Sequence, residues 1–265
     1  MRTVKYESLR PDEIVEERAR APVVYLPVAP LEWHGPHLPV GMDAINAYAV
    51  SLMAAKRTGG VVMPPLYFGT ERARTPELLR NTGFTEGEPY MTGQDFPANS
   101  ILSMYSPEDI FGVVVREYLR MLVKLEYRLI VLVNGHGSQN QVETLQRLAH
   151  EYSNETDCRV LYTCALNRLD DTDRDYGHAT RMETAITLHL AADSVDLAML
   201  PPKPEKIYYT ETGIVDGEAF AGRPTPDHSV DADPRDATAE LGRRYVEHSA
   251  ALVAGAVMES LKQIS

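Results

Sequence analysis

Leu129-Ile130-Val131-Leu132-Val133 is an unbroken apolar run that stops at Asn134-Gly135-His136-Gly137. Five such residues without polar alternation describe a strand covered on both faces, the situation of a central strand in a parallel sheet. Such a strand needs helices above and below it, which narrows the chain to an α/β architecture. Val23-Val24-Tyr25-Leu26-Pro27-Val28 reads as an earlier strand of the same kind, Val61-Val62-Met63 as another, and Arg159 to Thr163 as a later one. None of these runs is long enough to span a bilayer.

Amphipathic stretches alternate with these runs. Ala44 to Lys56 is Ala-rich and closed by Gly59-Gly60. Ser106-Pro107-Glu108-Asp109 is a helix start, with serine as cap, proline in the first turn and acids at the positive end of the dipole. That helix is expected to run to about Leu125. Further helices are expected over Gln139 to Tyr152, Arg181 to Leu190 and Pro234 to Lys262. Phe68 to Tyr105 is rich in Gly, Pro, Thr and Asn, and a loop of that length in a compact domain is usually functional or an inter-subunit element. No repeat or linker divides the chain, so residues 1–265 are expected to form a single α/β domain around a mainly parallel sheet.

The formal charge is −12, from 26 basic and 38 acidic residues, which disfavours nucleic acid and anionic membrane surfaces as partners. The N-terminus lacks the apolar stretch of a signal peptide. Two cysteines are too few for a disulfide framework. Cys158 and Cys164, six apart, are expected on one face of a strand as buried free thiols, too distant to bridge. These features predict a cytoplasmic protein.

Chemistry concentrates where strands end. Glu32-Trp33-His34-Gly35-Pro36-His37 runs on to Asp43 just after the first strand, where ligand sites form in open α/β sheets. Glu32 and His34 project to one side of an extended chain, and Asp43, on a turn-rich loop, is free to join them. Carboxylate and imidazole together suit Zn²⁺, Mn²⁺ or Fe²⁺. The competing reading is a loop with a solvated Glu32 and a histidine bonded to backbone. Asn134-Gly135-His136-Gly137-Ser138-Gln139-Asn140 brings a second histidine to the end of another strand, ahead of a helix N-terminus. Gly177-His178-Ala179-Thr180-Arg181-Met182-Glu183 places an acid in a helix of apolar neighbours, where a buried carboxylate needs a partner or a metal. An exposed Glu183 with His178 as a cap is the alternative. Arg72 and Arg74, in the long loop, could grip a substrate carboxylate or hydroxyls, although a solvated charged loop explains them too. His37 is assigned supporting hydrogen bonding.

Together these stretches, with Phe96-Pro97-Ala98-Asn99-Ser100 and Asp233 to Gly242, resemble the creatininase (creatinine amidohydrolase) family. The resemblance implies a three-layer α/β/α fold and a homohexamer. It also implies two divalent ions per subunit, one held by Glu32, Asp43 and His136, the other by His34 and Asp43 with Asp43 bridging. Creatinine-cleaving members supply a glutamate two residues after the histidine of the Asn-Gly-His motif. Here that position is Ser138, so the ligand role is assigned to Glu183 and Ser138 is grouped with Arg72 and Arg74 as a substrate contact. Trp33 is the only tryptophan, whereas creatinine hydrolases use tryptophans about the active site, so creatinine itself is not the expected substrate.

The expected reaction is opening of a small polar cyclic amide. Paired divalent ions activate water and polarise the carbonyl, with His178 as proton donor to the leaving group and Glu183 as a second catalytic residue. The alternatives are hydrolysis of a ring carbon–carbon bond in a keto-inositol, and a metal-stabilised oligomeric binder without turnover.

Overall fold

The computed structural model describes residues 3–73, 76, 101–175, 177–207 and 232–264. Arg74 and Phe96 to Ser100 lie outside them.

The sheet contains β1 (Val23–Ala29), β2 (Val61–Val62), β3 (Leu66–Tyr67), β4 (Leu129–Asn134) and β5 (Arg159–Cys164). Every pairing is parallel, in the order β2-β1-β4-β5, with β3 also on β1. The helices are α1 (Pro11–Arg20), α2 (Met42–Thr58), α3 (Glu108–Lys124), α4 (Gln139–Glu155), α5 (Arg181–Ala191) and α6 (Ala239–Ile264).

The expected three layers follow from the period of two along the strands. Val23, Tyr25, Leu129, Val131 and Val133 point into one core with α2, α5 and α6. Val24, Leu26, Val28, Ile130 and Leu132 point into the other, against Phe111, Val115, Leu119 and Leu122 of α3 and Leu145, Leu148 and Tyr152 of α4. Both faces are apolar, so the strands show no polar alternation in sequence. The helix layer of α5 and α6 depends on Gly242, where a Cβ would stand 1.8 Å from the Ala185 carbonyl oxygen.

Several local expectations need correction. Ser106 is not the cap of α3: that position is Pro107, and the Ser106 N–H and hydroxyl both donate to the Gly69 carbonyl. Asp43 lies in the first turn of α2 rather than in a loop. The last helix begins at Ala239, after a short 3₁₀ turn at Pro234–Asp236. Cys158 and Cys164 are free as expected but pack against opposite cores, because the Cys164 thiol, at the strand end, turns to the Leu166 carbonyl. Helix α1 and strand β3 went unread: α1 buries only Glu17 and so lacks an apolar stripe, and β3 is two residues long.

From β1 the chain goes to β2 and β3 on one side, and then to β4 on the other. The crevice beyond the carboxyl ends of β1 and β4 is therefore the topological switch point, the place where such sheets bind ligands.

Candidate metal centre

Asn134, the last residue of β4, builds the turn that presents His136. Its side-chain amide donates to the His136 carbonyl, and its Oδ1 accepts from the His136 N–H and from Gln141 Nε2. Gly135 lets this turn press on α2: a Cβ would lie 2.4 Å from the Asp43 carbonyl oxygen. The loop after β1 is fastened by Glu32 N–H to the Val40 carbonyl, and His34 Nδ1 donates to the Glu32 carbonyl at 3.0 Å. Glu183, in the first turn of α5, accepts the N–H of Ala179 at 2.5 Å. Ala179 has φ 56, a left-handed conformation unusual for a residue with a Cβ.

These elements bring five predicted side chains into one cluster. His34 Nε2 stands 3.2 Å from Asp43 Oδ1 and 3.8 Å from Glu183 Oε2. His136 Nδ1 stands 2.8 Å from Glu32 Oε2 and 3.3 Å from Asp43 Oδ2. None of the five residues is more than 5% exposed. Three carboxylates and two imidazoles this deeply buried need a counter-charge.

The donor chemistry shows what kind. A backbone carbonyl only accepts, so His34 Nδ1 carries hydrogen and a neutral His34 turns its Nε2 lone pair on two carboxylates. Two lone-pair groups face to face repel unless a cation lies between them. His34 Nε2 and Asp43 Oδ2 are both buried without a hydrogen-bond partner. Fixing a metal-binding imidazole by its other N–H is the usual supporting arrangement. Among the described residues, three groups are spaced to hold an ion: Glu32, Asp43 and His136; His34, Asp43 and Glu183; and Glu32, His34 and His178.

The charges within the cluster make the same demand for a cation. Burial opposes charge on His34, but Asp43, Glu183 and Glu32 outweigh it and raise its pKa to about 10. His136 is likewise driven well above its usual value by Glu32 and Asp43 against burial. Burial favours the neutral form of Glu32, yet His136, His178 and His34 hold its pKa far below normal. Glu183 is raised to about 8 by burial and by the charge of Asp43, against the pull of His34.

His178 stands beside this cluster. Its Nε2 donates to the Trp33 carbonyl at 2.6 Å, which turns the Nδ1 lone pair toward Glu32 Oε1, 3.8 Å away. Burial, then the charge of His34, lowers its pKa to about 4. His37 is buried with Nε2 2.9 Å from the Thr184 hydroxyl, in keeping with its supporting assignment.

A family model described as creatinine amidohydrolase (creatininase) matches residues 7–257. The chain belongs to the creatininase family. It is 30% identical over 180 residues to a mycofactocin precursor peptide peptidase of Mycolicibacterium smegmatis, covering 66% of this chain and 60% of that protein. It is 27% identical over 198 residues to a creatinine amidohydrolase of Pseudomonas putida, covering 69% of each. A Zn-Zn form of a creatininase variant superposes with a TM-score of 0.66 at 24% identity, over 98% of this chain and 99% of that one. A manganese form of creatininase gives 0.65 at 23%, with the same coverage. These structures share the α/β fold of this chain, with a mostly parallel sheet between helices.

Not every predicted contact lies at the centre. Ser138 caps α4 by accepting from Gln141 N–H and spends its hydroxyl hydrogen on the Thr70 carbonyl, so it can meet a substrate only as an acceptor. The Arg72 side chain is exposed. Two residues at the centre were missed. Tyr105 donates to Glu32 Oε1 at 2.7 Å. Glu71, buried, places Oε2 3.9 Å from His136 Nε2, on the ring edge away from the cluster. Glu71 immediately precedes Arg72 in the sequence. Tyr105 carried no motif.

Proposed function

We propose that this protein is a dinuclear metal-dependent hydrolase of amide C–N bonds. The observation that carries the reading is the placing of Asp43, whose two oxygens face different histidines, Oδ1 toward His34 and Oδ2 toward His136. A carboxylate divided in this way suits a bridge between two ions. Glu32 and His136 would complete one site, His34 and Glu183 the other. Divalent ions bound there would supply Lewis acidity, activating water and polarising the scissile carbonyl. Zinc, manganese and iron all suit these mixed nitrogen and oxygen donors.

The protein's own groups then manage protons. His178, neutral and held by Trp33, offers Nδ1 as the acceptor of the proton lost when water adds to the carbonyl. The same nitrogen returns that proton to the leaving amine, so water and amide become carboxylic acid and amine. His178 thus acts first as base and then as the donor expected from sequence. Glu183, expected from sequence as ligand and as second catalytic residue, would serve here as a ligand, with the Ala179 N–H holding its Oε2.

An amidohydrolase and a peptidase among the relatives share hydrolysis of an amide bond, which supports C–N over C–C chemistry. No observation favours the keto-inositol reading. A small polar cyclic amide other than creatinine remains the proposed substrate class. The homohexamer and the cytoplasmic location stand as expectations from the sequence. Among the described residues, no helix is long and apolar enough to cross a membrane.

The test is amine release from a panel of cyclic amides and short peptides by the metal-loaded protein and its His178→Ala variant. The account expects turnover by the parent, and in the variant unchanged metal content with kcat reduced by about 10²–10⁴-fold. Loss of metal in His178→Ala would make His178 a ligand instead. Turnover that releases no amine would overturn the amide assignment.

A further inference from the structure

Residues 103–106 form a strap across the loop that carries Glu32 and His34. Met104 N–H donates to the Leu31 carbonyl at 2.7 Å in an antiparallel bridge, and Trp33 N–H donates to the Ser103 hydroxyl at 2.8 Å. Ser106 fastens the other end to the Gly69 carbonyl. Between these anchors Tyr105 reaches inward. Its hydroxyl donates to Glu32 Oε1 at 2.7 Å, and its ring lies 5.8 Å from that of His136.

The two oxygens of Glu32 therefore have different surroundings. Oε2 faces His136 Nδ1 at 2.8 Å and His34 Nε2 at 3.9 Å. Oε1 takes the phenol hydrogen and has His178 Nδ1 3.8 Å away. Of the three groups spaced for an ion, two use Glu32, one with Asp43 and His136, the other with His34 and His178. An oxygen that already accepts a phenol hydrogen is a poorer metal ligand than its partner.

We propose that Tyr105 is a positioning residue that holds Glu32 Oε1, commits Glu32 to single-oxygen coordination through Oε2 beside His136, and keeps His178 outside the metal shell. Built on the dinuclear reading, this adds a choice between ligand sets that overlap in space. It also accounts for how a histidine so near the centre stays free to carry a proton.

The test is Tyr105→Phe, which keeps the ring and removes the hydroxyl. Competition against a chromogenic chelator measures both affinities for Zn²⁺, and the visible spectrum of the Co²⁺-substituted protein reports coordination number. The expected result is one of two sites weakened by about 10–100-fold, the other unchanged, and a weaker d–d absorption as His178 enters the shell. His178→Ala is expected to leave the parent Co²⁺ spectrum unchanged but to alter that of Tyr105→Phe. A strap that merely braced the fold would not show that dependence. Ser103→Ala, which loosens the strap and keeps the phenol, serves as the second variant, and its Co²⁺ spectrum is expected to match the parent. Parent affinities and spectrum in Tyr105→Phe would overturn the proposal while leaving the dinuclear centre standing. A parent protein that binds no ion would overturn both.

Discussion

Replacing Gly135 by alanine reaches the proposed metal centre without altering any side chain proposed as a ligand. The new Cβ would stand 2.4 Å from the Asp43 carbonyl oxygen, 2.9 Å from its carbonyl carbon and 3.2 Å from the Ala29 Cβ. Carbon and oxygen rest at about 3.3 Å or more, so the Asp43 backbone must retreat by about 1 Å. Metal–ligand distances tolerate about 0.2 Å, so that retreat would misplace both oxygens of the carboxylate proposed to bridge the ions. Overpacking of this kind costs about 1–3 kcal/mol, or a fall of about 2–12 °C in Tm for a domain of this size. Affinity at both metal sites is expected to fall by about 10-fold or more. Gly137→Ala is the control, since nothing lies within 4 Å of its added Cβ, and it should change neither quantity. Thermal melts followed by chelator competition on each variant give the answer. A folded Gly135→Ala protein that binds metal as tightly as the parent would refute the claim that this backbone contact sets the bridge.

Three further outcomes follow from the same geometry. Asp43→Asn is expected to weaken both metal sites and Glu183→Gln only the one with His34, so elemental analysis that finds equal losses in the two variants would argue against bridging. Burial raises the Cys158 thiol to about 11, against a bond from the Ile130 backbone; alkylation at pH 8 should therefore follow global unfolding, and reaction at the rate of a free thiol would contradict its placement. Burial works to raise the Asp173 carboxyl, but the N–H groups of Leu169 and Asp175 and the Tyr245 hydroxyl outweigh it and lower its pKa. Its stabilisation is thus present above about pH 4 and lost as pH falls through the depressed folded value. Tyr245→Phe should cost about 1.5–3 kcal/mol at neutral pH and narrow its gap from the parent in acid, and a constant gap across the pH range would refute that linkage.

The parts of this molecule that sequence revealed are those whose signal is local. The run from Leu129 to Val133 states its own burial, and its break at Asn134 marks the sheet edge where a site belongs. Glu32, His34 and His136 were visible because each follows such a strand within a few residues. Asp43 was singled out from its sequence position but expected in a loop, since Gly41 and Met42 give no capping signal for the helix that begins there. Tyr105 and Glu71 were missed for a different reason. Each is joined to the centre through space by loops, Tyr105 across an antiparallel bridge to Leu31 and Glu71 beside a backbone held by Gln141 at Thr70. No periodicity records such a meeting. Ser138 shows the converse, a residue conspicuous by its motif position whose hydroxyl hydrogen serves the fold.

The central claim is that the buried carboxylates and imidazoles at the ends of β1 and β4 hold a pair of divalent ions. Elemental mass spectrometry of protein purified without added metal, repeated after chelation and reloading with Zn²⁺ or Mn²⁺, tests it most directly. The account predicts close to two equivalents per chain, restored on reloading and reduced in Asp43→Asn. A chain that stays free of metal after reloading, with its fold intact, would contradict it and leave the cluster to a proton on His34.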